Sequence, residues 1–195
     1  MTTHPLTRAP HHGPPAITPA PGLSLAKGRV HEACGPARLT FALWLAKCCT
    51  GPVLWISPPH HGLRLNPDGI ARFADPARFL LARPANTIDI LWTAEEALRS
   101  GAAPLVVAEL DALPALTPVR RLHLAAETAP QTPLGLLLTP GTGGAQGIES
   151  RWHMAPRMDD RWTLERRRAR MAAPAAWDLD GLPHAPRLTA RPYEG

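Results

Sequence analysis

The sequence predicts an α/β domain: a mostly parallel sheet flanked by helices, with an antiparallel extension at its C-terminal edge and disordered tails. Three observations predict it. Short, uniformly apolar runs such as Val53-Leu54-Trp55-Ile56 and Leu105-Val106-Val107-Ala108 lack the polar alternation of a sheet with one wet face. Segments of roughly ten to fifteen residues with helical spacing separate those runs, which implies crossovers between parallel strands. After Gly141-Thr142-Gly143-Gly144 the pattern changes to two closely spaced strand-like segments.

The elements follow in order. Val30-His31-Glu32 leads to Cys34, a tight Gly35-Pro36 turn follows, and a helix runs from Ala37 to Cys48 with Leu39, Ala42, Leu43 and Ala46 at helical spacing. Gly51-Pro52 stops it, and Val53–Ile56 is a buried strand. Asn66-Pro67 supplies a cap and a first-turn proline for a short helix through Phe73. Arg78–Ala82 is the next strand. Asn86 caps a helix to Ser100, with Asp89 three residues in and Gly101 past its end; Ile88, Leu91, Trp92, Ala94 and Leu98 are its expected inner face. Leu105–Ala108 is a third buried strand, Thr117-Pro118 opens a helix to Thr128, and Leu134–Leu138 is a fourth strand. Arg151–Met154 and Arg161–Arg166 form the expected antiparallel edge.

Composition sets the boundaries. The chain has 195 residues, 45% of them hydrophobic, which suits one domain with a real core. Its 24 prolines exceed the usual share of about 5%. The expected division is a disordered Pro/His-rich tail over 1–22, the domain over 23–177 and an irregular tail over 178–195. No apolar run approaches the roughly 18 residues of a membrane span, and MTTHPLTRAPHHGPP lacks a signal-peptide core, so a cytoplasmic protein is expected. Cys34, Cys48 and Cys49 fit reduced thiols better than a disulfide framework or zinc site. The pairs His11-His12 and His60-His61 lie in Pro/Gly-rich contexts and read as solvated loop residues; no metal site is expected. A net charge of +5 permits an acidic partner without identifying one.

The segment Arg29–Cys49 has the frame of a phosphate-binding loop. Strand–turn–helix geometry aims backbone N–H groups and a helix N-terminus at phosphate. The working motif needs G-x-x-x-x-G-K-[ST], with lysine on the phosphates and a hydroxyl on magnesium. Here Gly35, Pro36, Arg38 and Thr40 occupy the shortened turn, with no second glycine and no lysine.

The other charged feature is the arginine segment. Arg166, Arg168 and Arg170 share one face of an ideal strand, with Arg161 upstream and Arg167 pointing away beside Glu165. Such a stripe suits contact with a partner or with a phosphate backbone. It equally suits an edge strand protected from pairing by charge. Trp152 and Trp162 read as core residues in preference to base-stacking platforms, and Trp44, Trp55 and Trp92 as core. Gly141–Gly147 resembles a phosphate loop in composition but has no lysine, and a mobile loop is expected. Ser57, His60 and Asp68 share one loop region without the context of a nucleophile elbow.

In their order and spacing, Val30-His31-Glu32 before Gly35-Pro36, NTIDILWTAEEALRSGAAPLVV, LTPVRRLHLAAE with Leu134–Thr139, and Arg161–Pro174 resemble the RecA-like ATPase core. The closer resemblance, over Leu25–Trp177, is to the ImuA family of bacterial mutagenesis cassettes. The resemblance implies a RecA-like fold and an adaptor in the DNA-damage (SOS) response, acting in error-prone translesion synthesis. The implied partners are an ImuB-like homologue of Y-family polymerases, RecA or an error-prone polymerase, and direct DNA contact is compatible with it. Three matched positions depart from the family's ATP chemistry. Arg38-Leu39-Thr40 stands where Gly-Lys-Thr is expected, Pro59 where the catalytic glutamate is, and Ala108 where an aspartate is. Glu109 is adjacent but points to the opposite face. These losses imply neither cofactor nor catalysis. A SulA-like division inhibitor and a residual ATP-binding protein are the alternatives.

Overall fold

The protein is described by a computed structural model over residues 15–59 and 65–193. The elements are β1 (Ala16–Ala20), β2 (Leu23–Ala26), β3 (Val30–Cys34), α1 (Arg38–Lys47), β4 (Val53–Ile56), α2 (Pro67–Ala71), β5 (Phe79–Ala82) and α3 (Thr87–Ser100). They continue with β6 (Leu105–Glu109), α4 (Leu116–Thr128), β7 (Leu134–Leu138), β8 (Ser150–Pro156), β9 (Trp162–Ala169), β10 (Ala175–Asp180) and β11 (Arg187–Arg191). Nine strands form one sheet in the order β11-β10-β9-β8-β3-β7-β6-β4-β5, and β1-β2 is a separate hairpin. From β5 to β8 every pairing is parallel. From β8 to β11 every pairing is antiparallel.

Strands β3, β6 and β7 are buried at every residue, as parallel strands covered on both faces must be. Their side chains divide by the two-residue strand period. Leu105, Val107, Leu134 and Leu136 join a core with Phe41, Trp44, Trp55 and Trp152 on the α1 side. Val106, Ala108 and Leu137 join Ile90, Leu98, Val119 and Leu122 of α3 and α4 on the other.

Helix α1 is buried from Phe41 through Ala46 without a break, so it needs cover on its outer side as well. The β1-β2 hairpin belongs to this core through Ile17, Ala20, Leu23 and Leu25. The disordered tail expected over 1–22 is therefore corrected at Ala16–Ala20, which pairs with β2; residues 1–14 lie outside the described residues. Pro19 is compatible with a strand edge, which is why a proline-rich segment still forms one.

The irregular tail expected over 178–195 is corrected too. Of its three prolines, Pro183 and Pro186 fall in the turn between β10 and β11 and Pro192 follows β11, leaving Trp177–Asp180 and Arg187–Ala190 to pair in register. The domain boundary at 177 thus cuts through β10. Helix α3 begins as its sequence requires: Asn86 Oδ1 accepts from the Asp89 N–H at 3.0 Å, and Gly101 closes the far end at φ +66°. Its inner face is rotated from expectation. Ile90, Ala94 and Leu98 are buried, whereas Ile88 is 79% and Trp92 59% exposed. At about 100° per residue both lie nearly opposite Ile90. Among the described residues no helix is long and apolar enough to cross a membrane.

Candidate functional site

The phosphate-loop frame sits at the carboxyl end of β3, between β7 and β8 in the middle of the sheet. Open α/β sheets bind ligands outside the carboxyl ends of their strands, where the strand order reverses. Gly35 makes the corner at φ +87°, and a Cβ there would lie 2.5 Å from the Met154 carbonyl oxygen. Only glycine fits.

The backbone donors of this corner already have acceptors. The Gly35 N–H donates to the Gly141 carbonyl at 3.0 Å, the Ala37 N–H to the Met154 carbonyl at 2.9 Å and the Arg38 N–H to the Gly35 carbonyl at 3.3 Å. Pro36 has no N–H to offer. Helix α1 starts without a side-chain cap, and the Arg38 guanidinium turns back to the Gly35 carbonyl at 3.2 Å. Thr40 is half-buried in the first turn. The geometry that would cradle a phosphate is used to attach β8 and the Gly141 turn to the end of β3.

Beside it lies a group the sequence reading did not single out. Glu32 on β3 is fully buried. Its Oε1 accepts from Thr139 Oγ1 at 2.6 Å, the Gly144 N–H at 2.8 Å and the Ala145 N–H at 3.1 Å. Its Oε2 pairs with Arg151, whose Nη2 donates to the Ala145 carbonyl at 2.9 Å. A buried carboxylate is stable only when its oxygens are this well supplied with donors. The Gly141–Gly147 segment, expected to be a mobile loop, is tied at its centre to β3 and β8. Gly143 passes so close that a Cβ would sit 2.9 Å from Cys34 Sγ and from Glu32 Oε1. The available signal was an acid within the short hydrophobic approach to the Gly35-Pro36 turn.

The remaining ATP positions are elsewhere. Ala108 is buried in the α3–α4 core. Glu109 points to the opposite face, as the strand period requires, and accepts from Trp55 Nε1 at 2.6 Å. Pro59 is exposed beyond β4. His11, His12, His60 and His61 lie outside the described residues, so the Ser57, His60 and Asp68 grouping is only partly described. Among the described residues no three His, Cys, Asp or Glu side chains gather as a metal site. Burial pushes the thiols of Cys34 and Cys49 up to about 11, away from reactivity.

The arginine segment is not one stripe. Trp152 on β8 faces Arg166, and its neighbour Arg151 faces Arg168, because a bulge interrupts the pairing there. Adjacent residues of β8 point to opposite faces, so Arg166 and Arg168 do as well. Arg166 lies over the Trp152 and Trp177 rings, 5.8 and 5.4 Å from their centroids, and its Nε donates to the Ala173 carbonyl at 3.0 Å. Arg168 is exposed. Arg170 lies 3.6 Å from Glu149, and Arg161 pairs with Asp159 at 3.3 Å beyond the other end of β9. Trp152 is fully buried and stacks on Phe41 at 5.8 Å, while Trp162 packs partly buried against the same core.

No protein-family model matches this chain, and no curated protein matches it in sequence.

Proposed function

We propose that this chain is a non-catalytic adaptor of the ImuA type, a RecA-like protein that lost its nucleotide site and kept its frame. The observation that carries the reading is the corner at Gly35-Pro36-Ala37. Its Gly35, Ala37 and Arg38 N–H groups donate to the Gly141, Met154 and Gly35 carbonyls. A ligand there would have to replace three backbone hydrogen bonds and displace β8 from the corner. The mid-sheet position of that corner and the antiparallel edge beyond it add support.

On this reading the protein acts in the bacterial cytoplasm during the SOS response. It would contribute surfaces to error-prone translesion synthesis beside an ImuB-like Y-family homologue, RecA or an error-prone polymerase. The test is co-purification with the ImuB-like homologue together with damage-induced mutagenesis in a deletion strain. Retention of the partner and loss of induced mutation are expected. Normal induced mutagenesis overturns the reading, and filamentation on overexpression would replace it with a SulA-like division inhibitor.

A further inference from the structure

A cleft of about 770 Å³ opens where β3 begins, at the end of the strand opposite the phosphate corner. Ser24 of β2 and Lys27 just after it contribute to one side; Arg166, Arg170 and Met171 of β9 and its exit contribute to another. Arg29, Glu127 and Glu149 complete its charged lining. Four cations against two carboxylates leave this lining with a surplus of positive charge.

The charges are unequally engaged. Arg29 holds Glu127 at 2.8 Å and lies 3.9 Å from Glu149. Arg166 is stacked on its tryptophans. Arg170 is only 3.6 Å from a Glu149 already shared with Arg29. With Arg29 on Glu127 and Arg170 nearest Glu149, the surplus is carried by Lys27 and by Arg166, which is held on its indoles; Lys27 and the exposed Arg170 are therefore the cations open to a ligand. Beside them the surface is apolar: Ala169 and Ala172 line the cleft, and Met171 is 91% exposed at it.

This mixture selects among ligands. A nucleic-acid strand carries a phosphate on every unit and favours aromatic faces for its bases. Here two carboxylates share the cleft, and Arg166 covers both nearby indoles. A peptide that alternates acidic and aliphatic side chains can place carboxylates at Lys27 and Arg170 and apolar groups at Ala169 and Met171. The chain's own residues 1–14 contain one arginine, three histidines and no acid, the wrong charge for this lining. We infer that the cleft binds an extended acidic-aliphatic peptide of a partner protein, an inference that rests on the adaptor reading.

The experiment is fluorescence polarisation of a labelled octapeptide of alternating Asp and Leu titrated with the full chain. Saturable binding that weakens with salt is expected. The double variant Lys27→Glu/Arg170→Glu should bind at least tenfold more weakly, and Arg72→Glu just past α2 should bind as the parent does. Met171→Asp, at an exposed side chain, should also weaken binding tenfold without threatening the fold. No saturation up to about 1 mM, a limit near −4 kcal/mol, overturns the inference. Equal binding by the charge-reversed chain, or by a Lys/Leu octapeptide, overturns it as well. Competition by oligo-dT with higher affinity than the peptide assigns the cleft to nucleic acid and also overturns it. The titration contains no polymerase homologue. Failed co-purification with intact peptide binding removes that partner and keeps the cleft, and the converse removes the cleft alone.

Discussion

Arg151 of β8 meets Glu32 of β3 across the parallel pairing of those strands, and the glutamate is wholly enclosed. Arg151→Ala leaves that carboxylate buried without its cation. A loss of about 3–5 kcal/mol in urea unfolding is expected. Replacing both partners, as Glu32→Gln with Arg151→Met, should recover part of that loss because no uncompensated charge remains.

Gly35 and Gly141 test the corner as a pair. Gly35→Ala must adopt φ +87° and meet a backbone oxygen at 2.5 Å. A cost of at least about 3 kcal/mol is expected, from conformation and collision together. Gly141→Ala has φ +60° but nothing within 4 Å of its Cβ. It should cost only about 1–2 kcal/mol, and thermal melting of the two variants gives the comparison.

Acid should weaken the fold through two histidines. Burial lowers His31 and His123 to about 4. His31 sits between Ser150 Oγ and the Ala26 carbonyl, and His123 between the Val30 N–H and the Gly147 carbonyl. Each binds its proton more readily when unfolded. Their contribution is therefore complete above about pH 6.5 and is lost as pH falls towards about 4, at up to roughly 1.4 kcal/mol per pH unit for each. Urea midpoints across that window should fall, and His31→Gln should flatten the slope.

ATP with magnesium at millimolar concentration should leave the melting temperature unchanged, since a binder at a hundredfold excess over its dissociation constant would add about 2.7 kcal/mol. A clear upward shift would restore the nucleotide-binding alternative. Arg38→Ala should not alter the result.

Arg166→Ala removes a cation from two indole faces and a bond to the Ala173 carbonyl. A loss of about 1–2 kcal/mol is expected, with a change in tryptophan emission. Arg168→Ala, at an exposed side chain, should stay within about 0.5 kcal/mol of the parent.

The central layout was legible because local signals and burial agreed. Val53–Ile56 and Leu134–Leu138 are strands as read, and Asn86 and Gly101 bound α3 as their chemistry requires. Where two apolar phases coexist on one helix, composition does not choose between them. Ala94 and Leu98 are buried as expected, but Ile90 takes the place of Ile88 and Trp92 because α4 and the sheet lie on that side. Proline density concealed β1, β10 and β11, since prolines that punctuate strands look like those of a tail. The Glu32 clamp was less legible still. Thr139, Gly144, Ala145 and Arg151 lie more than a hundred residues from it, and no local pattern encodes such a meeting.

The bulge in β9 has a consequence for how variation in this chain is interpreted. Arg166 and Arg168 face apart because the segment carries one residue more than its partner strand needs. A single deletion there would remove the bulge and leave every later side chain on its present face, whereas an unbulged strand of the present length would turn them over. Which side of the sheet is basic is thus decided by the bulge, and a strand with the same arginines paired without it would present a different surface.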